Sequence, residues 1–155
     1  MSELEIIDYK ASLQLKLEDF LEQTDAGPKF PFDLGNKYKD FRSIPEIYQS
    51  NNGQFWILFL FKEIAGIIAL KSLSEAVGEV KRLNVHPKFR GRGFGELLLK
   101  HLLEYASKNK FKKIRLDSIM KHKPALHLYK KYGFYEIFRY NDNPNADIFM
   151  EVKLK

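Results

Sequence analysis

Residues 79–103 predict a strand, a glycine-rich loop and a helix in direct succession, and this unit constrains the fold more than any other part of the chain. The strand pattern ends before Pro87, because proline cannot donate to a β-ladder. The loop reads RGRGFG at residues 90–95, and apolar side chains then repeat with the period of a helix (Leu98, Leu99, Leu102, Leu103 and Ala106). Glycines allow consecutive N–H groups to face one point, and a helix N-terminus favours an anion. The sequence therefore predicts a binding site for a phosphate group.

The spacing of the glycines excludes two common phosphate-binding motifs. Counted from Gly91, the dinucleotide pattern G-x-G-x-x-G requires a glycine where Glu96 stands, because the third glycine comes one residue early at Gly95. A P-loop requires Gly-Lys-Ser/Thr at its end, and the loop lacks it. The pattern that does fit is Arg-x-x-Gly-x-Gly, beginning at Arg90. An arginine- and glycine-rich turn on a basic surface is the alternative interpretation of the loop alone.

Length and composition narrow the class of protein. A chain of 155 residues is expected to form one domain over residues 1–155, since this length buries one sizeable core. The absence of cysteine excludes disulfides, thiolate metal ligands and a cysteine nucleophile. No apolar run reaches the ~18 residues of a membrane span. No signal peptide is apparent either, so we expect a cytoplasmic protein.

The net charge of +6 raises the question of nucleic acid as a partner. The lysines are spread over the whole chain, which favours a solvated surface over a nucleic-acid interface. The same positive field would attract a polyanionic ligand. The four histidines (His86, His101, His122 and His127) lack the spacing of metal ligands, and no metal is expected.

Hydrophobic patterns predict the element order β-α-α-β-β-β-α-β-α-β-β. Strands are predicted at residues 3–8, 55–61, 64–71, 78–85, 113–117, 134–138 and 147–153. Helices are predicted at residues 11–22, at 34–48 with an interruption at Pro45, after the glycine loop, and from Pro124 to the left-handed cap at Gly133. Three consecutive strands before a helix imply an antiparallel meander, and the strand at 113–117 is expected to pair parallel with the one at 78–85.

In this order the chain resembles the GNAT superfamily of N-acyltransferases over residues 30–155. The resemblance rests on residues 90–95, on GEVKRLNV at residues 78–85, and on ALHLYKKYGF at residues 125–134, which matches Ala-x-x-x-Tyr-x-x-x-Gly-Phe. It implies an α/β (α+β) fold with a mixed, mostly antiparallel sheet of about seven strands flanked by helices. Two neighbouring parallel strands of such a sheet splay apart, here at residues 83–85 and 114–117. Ser118 departs from the threonine of a similar subgroup, and residues 120–123 lack an asparagine that many members carry.

The resemblance implies acetyl-CoA as co-substrate, with its pyrophosphate on the glycine loop and its pantetheine and acetyl oxygen on backbone N–H groups of the splayed strand. The cofactor-binding residues carried over in this way are Leu83, Asn84, Val85, Arg90, Gly91, Arg92, Gly93, Phe94, Gly95, Tyr129 and Tyr132. The implied reaction is direct attack by an amine in a ternary complex. A small-molecule or amino-acid-like acceptor is favoured, and a protein lysine or N-terminus, a non-catalytic CoA-binding module and a nucleic-acid-binding module are the alternatives. The resemblance also allows a homodimer.

Two residues match the catalytic positions of the family. Glu79 stands where members carry a carboxylate base, and its alternative role is an ion pair with Lys81 or Arg115 at a strand edge. Tyr129 matches the tyrosine beside the CoA sulfur that can protonate the thiolate, and its alternative role is packing between helix and sheet.

Four residues are expected to bind the acceptor, namely Lys81, Arg82, Asp117 and Tyr140. Lys81 and Arg82 alternate along a strand, so one of the two is expected to face the pocket and to favour an anionic group such as a carboxylate. Asp117 ends the second splayed strand, where it would either accept the positive charge of an amine or cap the following loop.

Overall fold

A computed structural model describes residues 3–24 and 38–155 of the chain. Within these residues the strands are β1 (Leu4–Asp8), β2 (Gln54–Leu60), β3 (Glu63–Ser72), β4 (Val77–Val85), β5 (Lys113–Ser118), β6 (Tyr135–Ile137) and β7 (Ile148–Lys153). The helices are α1 (Gln14–Gln23), α2 (Ile44–Ile47), α3 (Phe94–Lys108) and α4 (Lys123–Lys131). None of the helices in the described ranges is long and apolar enough to cross a bilayer.

The strands form one mixed sheet in the order β1-β2-β3-β4-β5-β7-β6. Among the described strands only the β4–β5 pair is parallel, and all other neighbours are antiparallel. This arrangement confirms the predicted fold class, including the parallel partner of the strand before the glycine loop. It also places β7 between β5 and β6, which no local sequence pattern indicates.

Alternate residues of β2 belong to two hydrophobic cores on opposite faces of the sheet. Trp56 and Leu58 pack in the core that contains the buried residues of α3 and α4. Phe55 and Ile57 pack in the core that contains the buried residues of α1 and α2. Successive side chains of a strand point to opposite faces, so the uniformly apolar run at residues 55–61 is explained by a sheet that is covered on both sides.

The N-terminal helices differ from the prediction in two places. A 3-10 turn over Ala11–Leu13 precedes α1, so the predicted helix at 11–22 divides into a turn and a helix. Pro45 lies in the first turn of α2 instead of interrupting a helix, because proline in the first turn lacks only an N–H that has no partner within the helix. The predicted break at residues 24–31 and the start of the predicted helix at 34–48 lie, apart from Thr24, outside the described residues.

The strands β4 and β5 separate shortly after they meet. Their register pairs run from Val77 with Lys113 to Glu79 with Arg115, and the described structure has no β4–β5 pair beyond that point. On its other side, β4 carries a β-bulge where the register with β3 shifts, and Arg82 has a φ of 58° there. A bulge increases the local twist of a strand and redirects its side chains. The far half of β4 thus leaves β5 and opens a cleft between the two strands.

Candidate active site

The cleft between β4 and β5 has a volume of about 560 Å³. Its walls include residues 80–83 of β4, residues 117–119 at the end of β5, Tyr129 of α4 and Asp40 and Tyr48 from the N-terminal part of the chain. This volume lies in the range of pockets for small molecules and cofactors. Lys81 and Arg82 both line the cleft. The bulge at Arg82 breaks the alternation that would have turned only one of the two toward it.

Glu79 lies at the point where β4 and β5 separate, and its side chain is only 3% exposed. The hydroxyl of Tyr140 donates a hydrogen bond to Glu79 Oε2 at 2.5 Å. The ammonium nitrogen of Lys81 lies 3.6 Å from Glu79 Oε1. Burial, and then the negative charge of Glu79, raise the pKa of Tyr140 above its ordinary value, so its hydroxyl keeps the proton that it donates. Arg115 pairs with Glu151, so the pairing expected as an alternative for Glu79 is made with Lys81.

Asp117 faces Glu79 across the opening and shares two partners with it. Lys81 donates to Asp117 Oδ2 at 3.0 Å. Asn141 donates its amide Nδ2 to Asp117 Oδ2 at 2.6 Å and lies 3.3 Å from Glu79 Oε2. The loop after β5 is capped by Asp147, whose Oδ1 accepts a hydrogen bond from Met120 N. The side chain of Asp117 instead contacts Lys81 and Asn141 and lines the cleft. Sequence reasoning missed Asn141, and the signal that was present is its position directly after Tyr140 in a polar loop.

Arg82 forms a second group of charges with Asp40. Its Nε and Nη2 donate to the two carboxylate oxygens of Asp40 at 3.0 and 2.6 Å. The guanidinium carbon lies 4.7 Å from the ring centroid of Phe41. Tyr48 donates its hydroxyl to Asp40 Oδ2 at 2.5 Å, and burial, followed by the charge of Asp40, raises its pKa above the ordinary value. Asp40 and Tyr48 were not predicted as site residues, because nothing local marks a single aspartate in this segment as a partner of β4.

Tyr129 lines the cleft from α4 and is 6% exposed. Its ring lies 5.7 Å from that of Phe134, so it also belongs to the core, as the packing interpretation expected. Burial, with a smaller contribution from the charge of Asp117, raises the pKa of Tyr129 to about 12. The phenol is therefore protonated at neutral pH and can donate a hydrogen bond into the cleft.

The loop at residues 90–95 leads into the N-terminus of α3. Gly91 and Gly93 have φ values of 80° and 84°, and a Cβ on either would meet no other atom within 4 Å. Phe94 is buried and anchors the first turn of α3, while Arg90 donates its Nε to the carbonyl of Val85 at 3.0 Å. The exposed side of a left-handed glycine pair at a 15-residue helix N-terminus is chemically suited to a phosphate. These residues fit the pyrophosphate that the resemblance implies.

The other residues expected at the cofactor site lie next to this loop or near it. Leu83, Asn84 and Val85 form the end of β4 and are partly exposed. Arg92 stacks over the ring of Phe89, with 5.4 Å from the guanidinium carbon to the centroid.

Tyr132 at the end of α4 donates its hydroxyl to Glu96 Oε2 at 2.7 Å, and Lys131 contacts the same oxygen at 2.7 Å. Tyr132 thus connects the end of α4 with Glu96, the residue that follows Gly95 in the first turn of α3. Tyr132 itself lies outside the lining of the cleft. In residues 3–24 and 38–155, no group of three or more histidine, aspartate or glutamate side chains could hold a metal ion.

Comparisons with known proteins agree with this architecture. A model of the acetyltransferase (GNAT) family matches residues 18–134. An uncharacterized N-acetyltransferase of Dictyostelium discoideum is 37% identical over 79 residues, which are 50% of this chain and 37% of that protein. An N-acetylaspartate synthetase of Xenopus tropicalis is 31% identical over 97 residues, which are 61% of this chain and 36% of that protein. The chain therefore spans little more than a third of the length of these two relatives.

Among solved structures, the acetyltransferase from Streptococcus agalactiae superposes with a TM-score of 0.84 at 25% sequence identity. The superposition covers 99% of this chain and all of the bacterial one. The match of the family model extends over three quarters of the chain, and the splayed β4–β5 pair and the loop before α3 lie within it. By this match the chain belongs to the GNAT acetyltransferase family.

Proposed function

We propose that this protein transfers the acetyl group of acetyl-CoA to a primary amine of a small molecule by direct attack in a ternary complex. The observation that carries the proposal is the cleft between β4 and β5, whose lining includes the protonated phenol of Tyr129 and the carboxylate of Asp117. The buried carboxylate of Glu79 lies next to this lining and contacts Lys81 and Asn141. Acyl transfer to an amine needs a group that removes a proton from nitrogen and a group that stabilises the departing sulfur. The cleft offers one candidate for each role.

Acetyl-CoA would be held by the loop at residues 90–95 and by the end of β4. The open side of Gly91 and Gly93 would receive the pyrophosphate, and the N-terminus of α3 would favour its negative charge. Backbone N–H groups at Leu83, Asn84 and Val85 would donate to the pantetheine and to the acetyl oxygen, as an oxyanion-type donor set does. Tyr132 and Arg92 would lie beside the bound acetyl-CoA.

Bound acetyl-CoA supplies the acetyl group as a thioester. An acceptor that binds as an ammonium first loses one proton to solvent, so that its neutral nitrogen can bond to the carbonyl carbon. The carbon–sulfur bond then breaks, and a second proton leaves the nitrogen while the sulfur takes one up. Glu79 would take the proton of the acceptor, directly or through one water. Tyr129 would donate a hydrogen bond to the sulfur. Its pKa of about 12 makes it a donor that stays protonated over the whole working range of pH.

A small-molecule acceptor is supported by the size of the cleft, about 560 Å³. An acceptor on a protein, a lysine or an N-terminus, is the second candidate from the sequence. The two are separated by offering free amines and peptides to the same preparation and following acetyl transfer by mass spectrometry.

The experiment that tests the proposal compares Glu79→Gln with Glu151→Gln. Glu151 is a matched control, because it is also a buried carboxylate that accepts from a tyrosine hydroxyl and pairs with a cation. Its partners Arg115 and Tyr135 do not line the cleft, whereas Lys81, the ion-pair partner of Glu79, does. Release of CoA can be followed with a thiol reagent without background, since the chain contains no cysteine.

We expect Glu79→Gln to lower kcat about 100-fold or more while CoA still binds, as for the loss of a general base. Glu151→Gln should keep kcat within a few-fold of the parent. Parent-like turnover by Glu79→Gln would assign Glu79 a structural role. A parent protein that neither binds CoA nor acetylates any amine would refute the proposed function itself.

A further inference from the structure

The two long cationic side chains that line the cleft, Lys81 and Arg82, are each paired with a carboxylate. Lys81 lies 3.0 Å from Asp117 Oδ2 and 3.6 Å from Glu79 Oε1. Arg82 makes a two-point pair with Asp40. These five side chains set three carboxylates against two cations, an excess of one negative charge. The neighbouring Arg115, which lies over the ring of Tyr140, is paired with Glu151. The remaining basic side chain in the lining, His122, is exposed at the rim.

This distribution of charge disfavours an acceptor that carries a carboxylate beside its amine. Such a carboxylate would share Lys81 or Arg82 with the aspartate or glutamate that each already contacts, and would add a further negative charge beside it. The side chain of Glu79 is 3% exposed and that of Asp117 is 9% exposed, so water screens this added charge poorly. Like charges in such surroundings repel strongly because little solvent screens them.

An ammonium group is attracted to the same pair of carboxylates, and it takes the place of the Lys81 ammonium that lies between them. Asn141 donates to both carboxylates and Tyr140 donates to Glu79, so Asp117 and Glu79 are oriented before any ligand arrives. The ammonium of Lys81 marks where a cation binds between them. The Lys81 side chain is 25% exposed, and its flexible stem allows the ammonium to move toward solvent when a second cation enters.

We infer that the acceptor is a cationic amine without a carboxylate near the reacting nitrogen, and that its ammonium group binds against the Asp117–Glu79 pair. The inference deepens the proposed function and rests on it for the reaction, but it concerns the binding of the amine. It reverses the expectation from the sequence that Lys81 or Arg82 favours an anionic acceptor, because the structure places an acidic partner on each of them.

The test uses pairs of amines that differ by one carboxylate, putrescine with ornithine and tyramine with tyrosine. For each pair, kcat/KM is measured with acetyl-CoA, and Kd is measured by calorimetry with CoA present, near neutral pH. We expect the amine without the carboxylate to have a kcat/KM about 10-fold higher or more and a Kd lower by a similar factor. Equal values within both pairs, a preference for the amino acids, or no binding of any of the four compounds would overturn the inference.

Two variants test whether charge in the cleft causes the preference for amines without a carboxylate. Asp117→Asn leaves Lys81 with one carboxylate partner fewer, so the preference for the carboxylate-free amine should shrink about fivefold. Lys81→Gln removes the cation, so the same preference should grow. Glu151→Gln is the control that should leave the ratio unchanged. If the ratio stays constant in both test variants, charge in the cleft does not select the acceptor and the inference fails.

Turnover and binding separate the two claims. If the carboxylate-free amines bind more tightly but none is acetylated, the proposed function fails and the inference about the binding site stands. If acetylation occurs with ornithine or tyrosine as the better substrate, the proposed function stands and the inference fails.

Discussion

Replacement of Gly91 or Gly93 by alanine separates the cost of a strained backbone from the loss of a phosphate site. Both glycines are left-handed, with φ of 80° and 84°. Alanine in this region costs about 1–2 kcal/mol. A Cβ at either position meets nothing within 4 Å, so no steric clash within the protein adds to that cost. For a domain of this size, about 1 kcal/mol corresponds to a Tm lower by roughly 2–4 °C.

The effect on CoA binding should be larger than the effect on stability. The methyl group would occupy the open side of the loop, where we propose that the pyrophosphate approaches the N–H groups of the loop and of the N-terminus of α3. Loss of one such charge-assisted contact costs about 1.5–3 kcal/mol, which is roughly a 10- to 100-fold rise in Kd. Calorimetric titration with CoA measures the rise, and thermal unfolding without ligand measures the strain.

Gly133→Ala is the matched control for this pair. Gly133 has a φ of 91°, and its Cβ would lie 3.5 Å from Val152 Cγ2, an ordinary contact. The control should lower the Tm by a similar amount and leave the Kd for CoA unchanged. If Gly93→Ala and Gly91→Ala bind CoA as tightly as the parent, the loop is not a phosphate site. If Gly133→Ala weakens CoA binding equally, the effect is one of general stability.

Three further changes test the site and its support. Tyr129→Phe removes a phenol whose pKa of about 12 exceeds the ordinary 10; such a group stabilises the fold fully below pH 10 and loses its contribution as the pH rises toward 12, at about 1.4 kcal/mol per unit. Between pH 9 and pH 11.5, the free energy of unfolding in urea should therefore fall less in the variant than in the parent. An equal fall in both proteins would contradict the raised pKa of Tyr129. Asp40→Asn breaks the pair with Arg82, whose side chains are 14% and 23% exposed, and should cost about 1–3 kcal/mol; a double-mutant cycle with Arg82→Met that gives additive effects would rule out the coupling. Leu98→Ala empties a fully buried position of α3 and should cost about 2–5 kcal/mol in urea unfolding, and a cost below 1 kcal/mol would mean that the core is packed differently.

The sequence by itself determined the order of the elements and the place of the glycine loop. The stripe from Leu98 to Ala106 and the proline after β4 are local signals, because periodicity and turn chemistry act over a few residues. The parallel pairing of β4 with β5 followed from the crossover helix between them. These local features are enough to predict the fold class and the position of a phosphate-binding loop.

The tertiary structure alone decided which charged side chains meet at the cleft. Asn141 reaches Glu79 across 62 residues of chain, and Asp40 reaches Arg82 across 42, and no local pattern encodes either contact. The bulge at Arg82 cancels the period-2 rule on which the assignment of Lys81 and Arg82 relied. The sequence specified the charged side chains near the cleft, but their pairing depends on which distant segments the fold brings within 3–4 Å, and that pairing sets the balance of charge in the cleft.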